Sequence, residues 1–184
     1  MKILHTADWH LGHSLHEQGR EEEHTAFLDW LLELVGREKV DALLVAGDVF
    51  DSANPSAAAQ TLWYGFLAEL CKKHPQVGVV VIAGNHDSAA RLEAPEPLLR
   101  RFGIHVVGEV SRLDGEPELE RLVVPLRRWS GEVAARVVAL PFLRPADLTW
   151  VEEEEQGDPL VEGVRRLYAR AIEEARRQRA DGEA

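Results

Sequence analysis

A single cysteine, Cys71, occurs in the 184 residues, which excludes an internal disulfide and fits a reducing compartment such as the cytoplasm. Long apolar runs are missing as well. No stretch approaches the length needed to span a bilayer, and Asp8 and His10 interrupt the first apolar run too early for a secretory leader. No membrane role is expected. Positive charge is scarce: 21 Lys and Arg stand against 32 Asp and Glu, a formal net charge of -11. That balance argues against a protein that holds nucleic acid by a broad basic surface. The deficit is uneven, since residues 1–99 carry 7 basic and 15 acidic side chains and the remainder 14 and 17. There is no low-complexity linker. The length suits one domain and, with 45% hydrophobic residues, is enough to bury a sizeable core.

What is present is concentrated at three apolar stretches. Leu43-Leu44-Val45-Ala46 reads as a buried strand of a mostly parallel sheet, and it runs into Gly47 and Asp48. Functional groups of open α/β sheets collect beyond the carboxyl ends of the strands. On this stretch alone a turn aspartate following glycine serves equally well. Two further stretches repeat the design. Val79-Val80-Val81-Ile82-Ala83 leads to Gly84, Asn85, His86 and Asp87, and Ile3-Leu4-His5-Thr6-Ala7 leads to Asp8, Trp9 and His10. Three strand ends thus deliver Asp8, His10, Asp48, Asn85 and His86. Carboxylate, imidazole and amide oxygen together suit a divalent metal such as manganese, iron or zinc.

Asp8-x-His10, Gly47-Asp48-x-x-Asp51 and Gly84-Asn85-His86-Asp87 resemble the first three motifs of the calcineurin-like metallophosphoesterases. Within that superfamily the stretches 5–12, 27–31, 45–51 and 141–145 are similar to the SbcD family of bacterial DNA-repair nuclease subunits. The resemblance runs through nearly all of the chain. It implies a layered α/β fold, a β-sheet sandwich flanked by helices, with residues 1–184 as the N-terminal part of the nuclease domain. It also implies two divalent metal ions, manganese foremost, with DNA as substrate and an SbcC-like ATPase subunit as partner.

Chemistry then suggests the roles. Two ions about 3.5–4 Å apart can share a bridging carboxylate and hold both oxygens of an in-line displacement at phosphorus. The bridge has to come from a central strand, which assigns it to Asp48. Asp8 and His10, two residues apart at a strand end, reach one ion through a bend in the chain. Asn85 offers a neutral oxygen to the second ion, and the family pattern assigns it there too. His86 follows directly but points elsewhere, which suits a proton donor to the leaving oxygen; the family gives its Asn-His histidine that role. Asp51 and Asp87 are expected to orient a ligand or catalytic histidine or to sit in the turns.

Elsewhere the readings are plainer. Phe27, Leu31, Leu34 and Val35 predict a helix with Gly36 as its stop, and Asn54 with Pro55 opens a second that runs to about Lys73. A short helix over 97–102 ends at Gly103 before a strand over 104–107. Strands are predicted over 122–124 and 137–140 with a turn at Ser130-Gly131. A last helix starts at Asp158 and Pro159 with Val161, Val164, Leu167, Tyr168, Ile172 and Ala175 as its apolar stripe. The acidic run 152–155 reads as a solvated loop or helix edge, with metal binding a distant second, and residues 176–184 as a fraying end. Cys71 falls on an apolar helix face and reads as packing. His5 and His105 read as packed or half-buried strand residues and His74 as a helix end. His13, His16 and His24 follow the first motif, where packing or solvent competes with lining a substrate entrance. Of the tryptophans only Trp9 is expected to touch the site.

After His105 the chain contains no histidine, whereas the family completes its metal site with one histidine in a Gly-His segment and two in a later Gly-His-x-His segment. The chain therefore reads as an N-terminal fragment, with a sheet edge left open to self-association into a homodimer. Three functional readings follow: a DNA nuclease subunit, a metallophosphoesterase on a small or protein substrate, and a non-catalytic interaction module with an incomplete metal site. Manganese-dependent cleavage of DNA against a generic phosphoester separates the first two, and absence of both activities favours the third. For residues 1–184 alone the expectation is at most one weakly held metal ion and no nuclease activity of note. Calorimetric titration with manganese beside a DNA cleavage assay checks this. Two tight sites would mean that other residues replace the histidines.

Overall fold

The computed structural model describes residues 1–148 and 158–179. In chain order the elements are β1 (Ile3–Thr6), a small hairpin of β2 (Ser14–Leu15) and β3 (Gln18–Gly19), α1 (Glu21–Glu38), β4 (Ala42–Ala46), α2 (Ala57–Lys73) and β5 (Gly78–Ile82). There follow α3 (Ala89–Glu93), α4 (Glu96–Leu99), β6 (Ile104–Val107), the hairpin β7 (Arg112–Leu113) and β8 (Glu116–Pro117), α5 (Leu119–Leu122), β9 (Val123–Arg127), β10 (Val133–Val138) and α6 (Pro159–Gln178). β1, β4, β5 and β6 form one parallel sheet in that spatial order, and β9 and β10 form an antiparallel pair.

Strand period two decides which side chains meet which layer. Leu43, Val45, Val79, Val81, Ile104 and Val106 face one core with Leu28, Leu31 and Val35 of α1 and Trp63, Phe66 and Leu70 of α2. Ala42, Val80 and Val107 face the other, against Leu122, Val124 and Leu126 and, beyond them, Leu167 and Ala171 of α6. The expected sandwich is therefore present: helices, parallel sheet, antiparallel pair, helix. The runs in β4 and β5 are apolar throughout because both faces are covered. Among the described residues no helix is long and apolar enough to cross a membrane.

Several boundaries differ from the sequence reading. Gly36 does not stop α1, which continues to Glu38 and ends at Lys39 with φ 53°. Gly36 is small because the His74 ring lies over it, and a Cβ there would stand 2.6 Å from His74 Cε1. His74 is thus a packing residue as well as a helix end. α2 is capped by Ser56 rather than Asn54, the Ser56 hydroxyl accepting from Ala59 N at 3.1 Å. Leu122 closes α5 instead of opening a strand, and β10 lies over Val133–Val138, earlier than expected, with the turn closed by Gly131 N donating to Arg128 O at 2.8 Å. In α6 the packed face is Gly163, Leu167 and Ala171, while Val161, Tyr168 and Ile172 of the predicted stripe are exposed. This helix carries two apolar faces, and periodicity alone cannot choose between them. His5 is exposed rather than packed, on the edge strand. The run 152–155 lies outside the described residues.

The pairing of β1 with β4 continues past the strand ends. Asp8 N donates to Gly47 O at 3.1 Å, His10 N to Asp48 O at 3.0 Å and Leu11 N to Val49 O at 3.0 Å. A buried carboxylate ties this double turn to the one after β5. Asp87, 1% exposed, accepts from Val49 N at 3.2 Å, Phe50 N at 3.0 Å and Gly84 N at 2.9 Å. Removing it strands three backbone donors in a buried place. Asp87→Ala is expected to lower stability by about 3 kcal/mol or more in chemical denaturation. A loss under about 1 kcal/mol would show that the tie carries little.

Two histidines make stability pH-dependent. Burial, with Arg100 beside it, lowers the pKa of His105 below 6.5, and burial with Arg20 does the same for His24. The unfolded chain then binds more protons than the folded one just below 6.5, so stability is full above that pH and falls as pH drops through it. His86, with its pKa raised, works in the opposite direction. The readout is therefore a difference: His105→Gln should show a shallower fall in melting temperature than the parent between about pH 7 and pH 5. Parallel curves would mean that His105 titrates alike in both states.

Candidate metal centre

The residues at the three strand ends converge because the backbone there is bent in an uncommon way. Asp8, His10 and Asp48 have φ of 57°, 45° and 49°, in the left-handed region that non-glycine residues enter at a cost of about 1–2 kcal/mol each. Gly47, at φ 90°, completes the turn after β4. Gly84 permits the turn after β5 to press against it, since a Cβ there would lie 2.7 Å from Asp48 Cγ and closer still to Asp48 Oδ1 and N. Only glycine fits. The Asp48 carboxylate is consequently 8% exposed, with Oδ1 accepting from His86 N at 2.9 Å.

Two groups of ligand-type atoms result, each lying within 4.8 Å of one another: Asp8, His10 and Asp48, and His10, Asp51 and His86. His10 belongs to both. Its Nε2 stands 3.9 Å from Asp48 Oδ2. Its Nδ1 lies 3.3 Å from Asp51 Oδ1 but out of line for a hydrogen bond, and it is buried with no partner among the described residues. Asp51 Oδ1 accepts instead from His13 Nδ1 at 3.0 Å. The His10 and His86 rings meet edge to face, centroids 4.9 Å apart. His86 Nδ1 donates to the Asp51 carbonyl at 2.9 Å, which leaves Nε2 free. That hydrogen bond raises the His86 pKa, and the carboxylates of Asp48, Asp51 and Asp87 raise it further against partial desolvation.

The structure brings Asp8, His10 and Asp48 together and sets Asn85 and His86, both exposed, on the adjoining turn. Asp51 and Asp87, read as equivalent from sequence, do different things: Asp51 faces His10 and His13, whereas Asp87 binds backbone N–H groups and no histidine. Trp9 does not touch the site. Its ring is buried among Phe27, Trp63 and Phe66, and its indole N–H bonds to Thr6 Oγ1 at 3.0 Å. His13 is the residue that sequence undervalued. The backbone bridge between Leu11 and Phe50, which brings it to Asp51, leaves no sequence signal.

These residues fit a divalent cation. Two carboxylates, Asp8 and Asp48, approach the same imidazole, and like charges so close repel one another unless a positive ion lies between them. Nε2 of His10, 3.9 Å from Asp48 Oδ2, faces such an ion, while the buried Nδ1, without a hydrogen bond, faces Asp51 on the other side. Oxygen and imidazole nitrogen are the donor types that divalent first-row metals take.

Comparison with known proteins agrees with this geometry. Residues 1–161 match the model of the calcineurin-like phosphoesterase family. The SbcD component of the nuclease SbcCD from Rhodobacter capsulatus is 49% identical over 178 residues, 95% of this chain and 44% of its own length. Its namesakes from Escherichia coli K12 and Bacillus subtilis are 42% identical over 150 residues and 47% identical over 108, covering 80% and 59% of this chain and 34% and 27% of theirs. The chain thus spans less than half the length of the curated relatives it matches. It belongs to the calcineurin-like phosphoesterase family.

Proposed function

We propose that the chain is the N-terminal part of the nuclease domain of a DNA-processing protein, which hydrolyses phosphodiester bonds with manganese and works with an SbcC-like ATPase subunit. The observation that carries this reading is the group of Asp8, His10 and Asp48, whose ligand-type atoms lie within 4.8 Å of one another, with Asn85 and His86 on the adjoining turn. The names of the relatives supply nuclease action and membership of a two-subunit complex, and the family resemblance supplies DNA and an ATPase as the other subunit. Asp8, His10, Asp48 and Asn85 would hold the ions, and Asp48, touching both, would bridge them. When bound, divalent metal neutralises the phosphoryl oxygens and makes water a nucleophile near neutral pH.

The remaining work falls to the protein's own groups. The Asp51 carbonyl fixes the His86 ring through Nδ1, so Nε2 is the atom that can deliver a proton to the leaving oxygen. The raised pKa keeps a larger share of His86 protonated near neutral pH. The Asp51 carboxylate holds His13 beside the site. With a net charge of -11, grip on the DNA backbone has to come from the metal ions and from surface supplied by the partner or a second copy. A cytoplasmic setting suits the lone Cys71. Action on a small or protein phosphoester is the second reading, supported by motifs common to the whole family.

Asp48→Asn in the complete protein is expected to abolish activity and weaken retention of both ions. His86→Ala should keep the metal and lose turnover by about 10²–10⁴-fold. Metal analysis of the two purified variants beside DNA and aryl phosphodiester assays checks both. Equal metal loss would remove His86 from the role of proton donor, and cleavage of the aryl ester without DNA would favour the second reading.

A further inference from the structure

Beyond β10 the chain crosses to the carboxyl end of the parallel sheet and leaves an aromatic ring in solvent. Ala139 N donates to Leu122 O at 2.7 Å and Phe142 N to Ala83 O at 2.9 Å. Arg144 N donates to Asp147 Oδ2 at 2.7 Å, and Asp147 N returns to Arg144 O at 2.8 Å. The Arg112 guanidinium holds the Asp147 carbonyl. The backbone is pinned on both sides of Phe142, yet its side chain is 48% exposed.

Single exposed apolar residues are ordinary, so exposure alone says nothing. Position and company say more. Ala83, to which Phe142 is tied, immediately precedes Gly84, whose backbone presses on Asp48, and then Asn85 and His86. The Arg144 guanidinium carbon lies 6.0 Å from the Phe142 centroid, at the limit of a cation–π contact. No carboxylate among the described residues pairs with that guanidinium, although the neighbouring turns carry Asp8, Asp48, Asp51 and Asp87. The ring face turned away from Arg144 offers stacking to any base, and the guanidinium over the other face offers donors to a phosphate or a second planar surface. The segment therefore presents the two parts of a nucleotide with one complementary group each.

We propose that Phe142 and Arg144 form a stacking platform for an unpaired nucleotide next to the phosphate handled at the metal centre. The proposal rests on the phosphodiesterase reading for the identity of that phosphate. Because a paired base inside a duplex has no free face, the platform selects splayed or single-stranded ends. Because every base has a π-face, it does so without regard to sequence.

The test uses a single-stranded oligonucleotide containing 2-aminopurine, whose fluorescence is quenched on stacking, with the complete protein in a calcium buffer, so that divalent cations offset the acidic turns. The parent chain should quench it. Phe142→Ala should bind about tenfold or more weakly without quenching, and Phe142→Trp should restore both. Arg144→Ala should weaken binding and flatten its salt dependence. The same base within a blunt duplex, already stacked and dim, should show no change when protein is added. Melting of Phe142→Ala unchanged from the parent separates these effects from unfolding. Equal quenching by parent and Phe142→Ala, or quenching by neither, overturns the platform, as does capture of the duplex base. Hydrolysis of an aryl phosphodiester by the complete protein with manganese, and its loss in Asp48→Asn, tests the phosphodiesterase reading separately. That reading fails if the small ester persists in Asp48→Asn, an outcome that leaves the fluorescence test of the platform untouched.

Discussion

The turns after β4 and β5 touch with no side chain between them on the β5 side, and the arrangement of the metal centre depends on that contact. Gly84 lets the backbone come against the Asp48 carboxylate. Asp87 then holds the two turns at that separation through three backbone hydrogen bonds. The magnitudes make this workable. Left-handed Asp8, His10 and Asp48 cost about 1–2 kcal/mol each, least for the two aspartates, whose short side chains bond locally. Hydrogen bonds to a buried carboxylate contribute about 1.5–3 kcal/mol each. The tie therefore offsets the strain within the same few residues, and the sheet beneath need only supply a rigid base.

Most of the site was legible because strand ends announce themselves. An apolar run that stops at glycine and is followed at once by an acid or amide gives both the element and the place where its chemistry sits, and this held for β4 and β5. Boundaries were less legible where a residue type has two uses. Gly36 carries the signal of a helix stop but is small to accommodate His74, a contact across 38 positions of chain. Val161, Tyr168 and Ile172 line up as well as Gly163, Leu167 and Ala171, and the neighbouring α5, β9 and β10 decide which face is packed. Asp51 and Asp87 look alike in sequence. One projects toward histidines and the other is consumed by backbone, a difference that follows from which way each turn rolls. Trp9 follows the same logic, since a residue between two ligands in a bent strand end faces the core.

Charge links the site to its surroundings. Four aspartates in the neighbouring turns and an acidic first half make the region hostile to a polyanion unless cations intervene. The exposed ring of Phe142 and the guanidinium of Arg144 lie on the segment after β10, which its backbone ties to Ala83 at the end of β5. The two halves of the sandwich thus bring unlike chemistry to one place: acidic ligands from the parallel sheet, and an aromatic and cationic edge from the segment that follows β10.

His10 belongs to both ligand groups, so one imidazole sets the geometry of both at once. Its ring has a single orientation at any moment, so whatever moves Nε2 relative to Asp48 also moves Nδ1 relative to Asp51 and changes how the edge meets His86. A change that turns the ring on the Asp48 side is therefore felt at His86 as well, and the turns that carry them cannot be tuned one at a time.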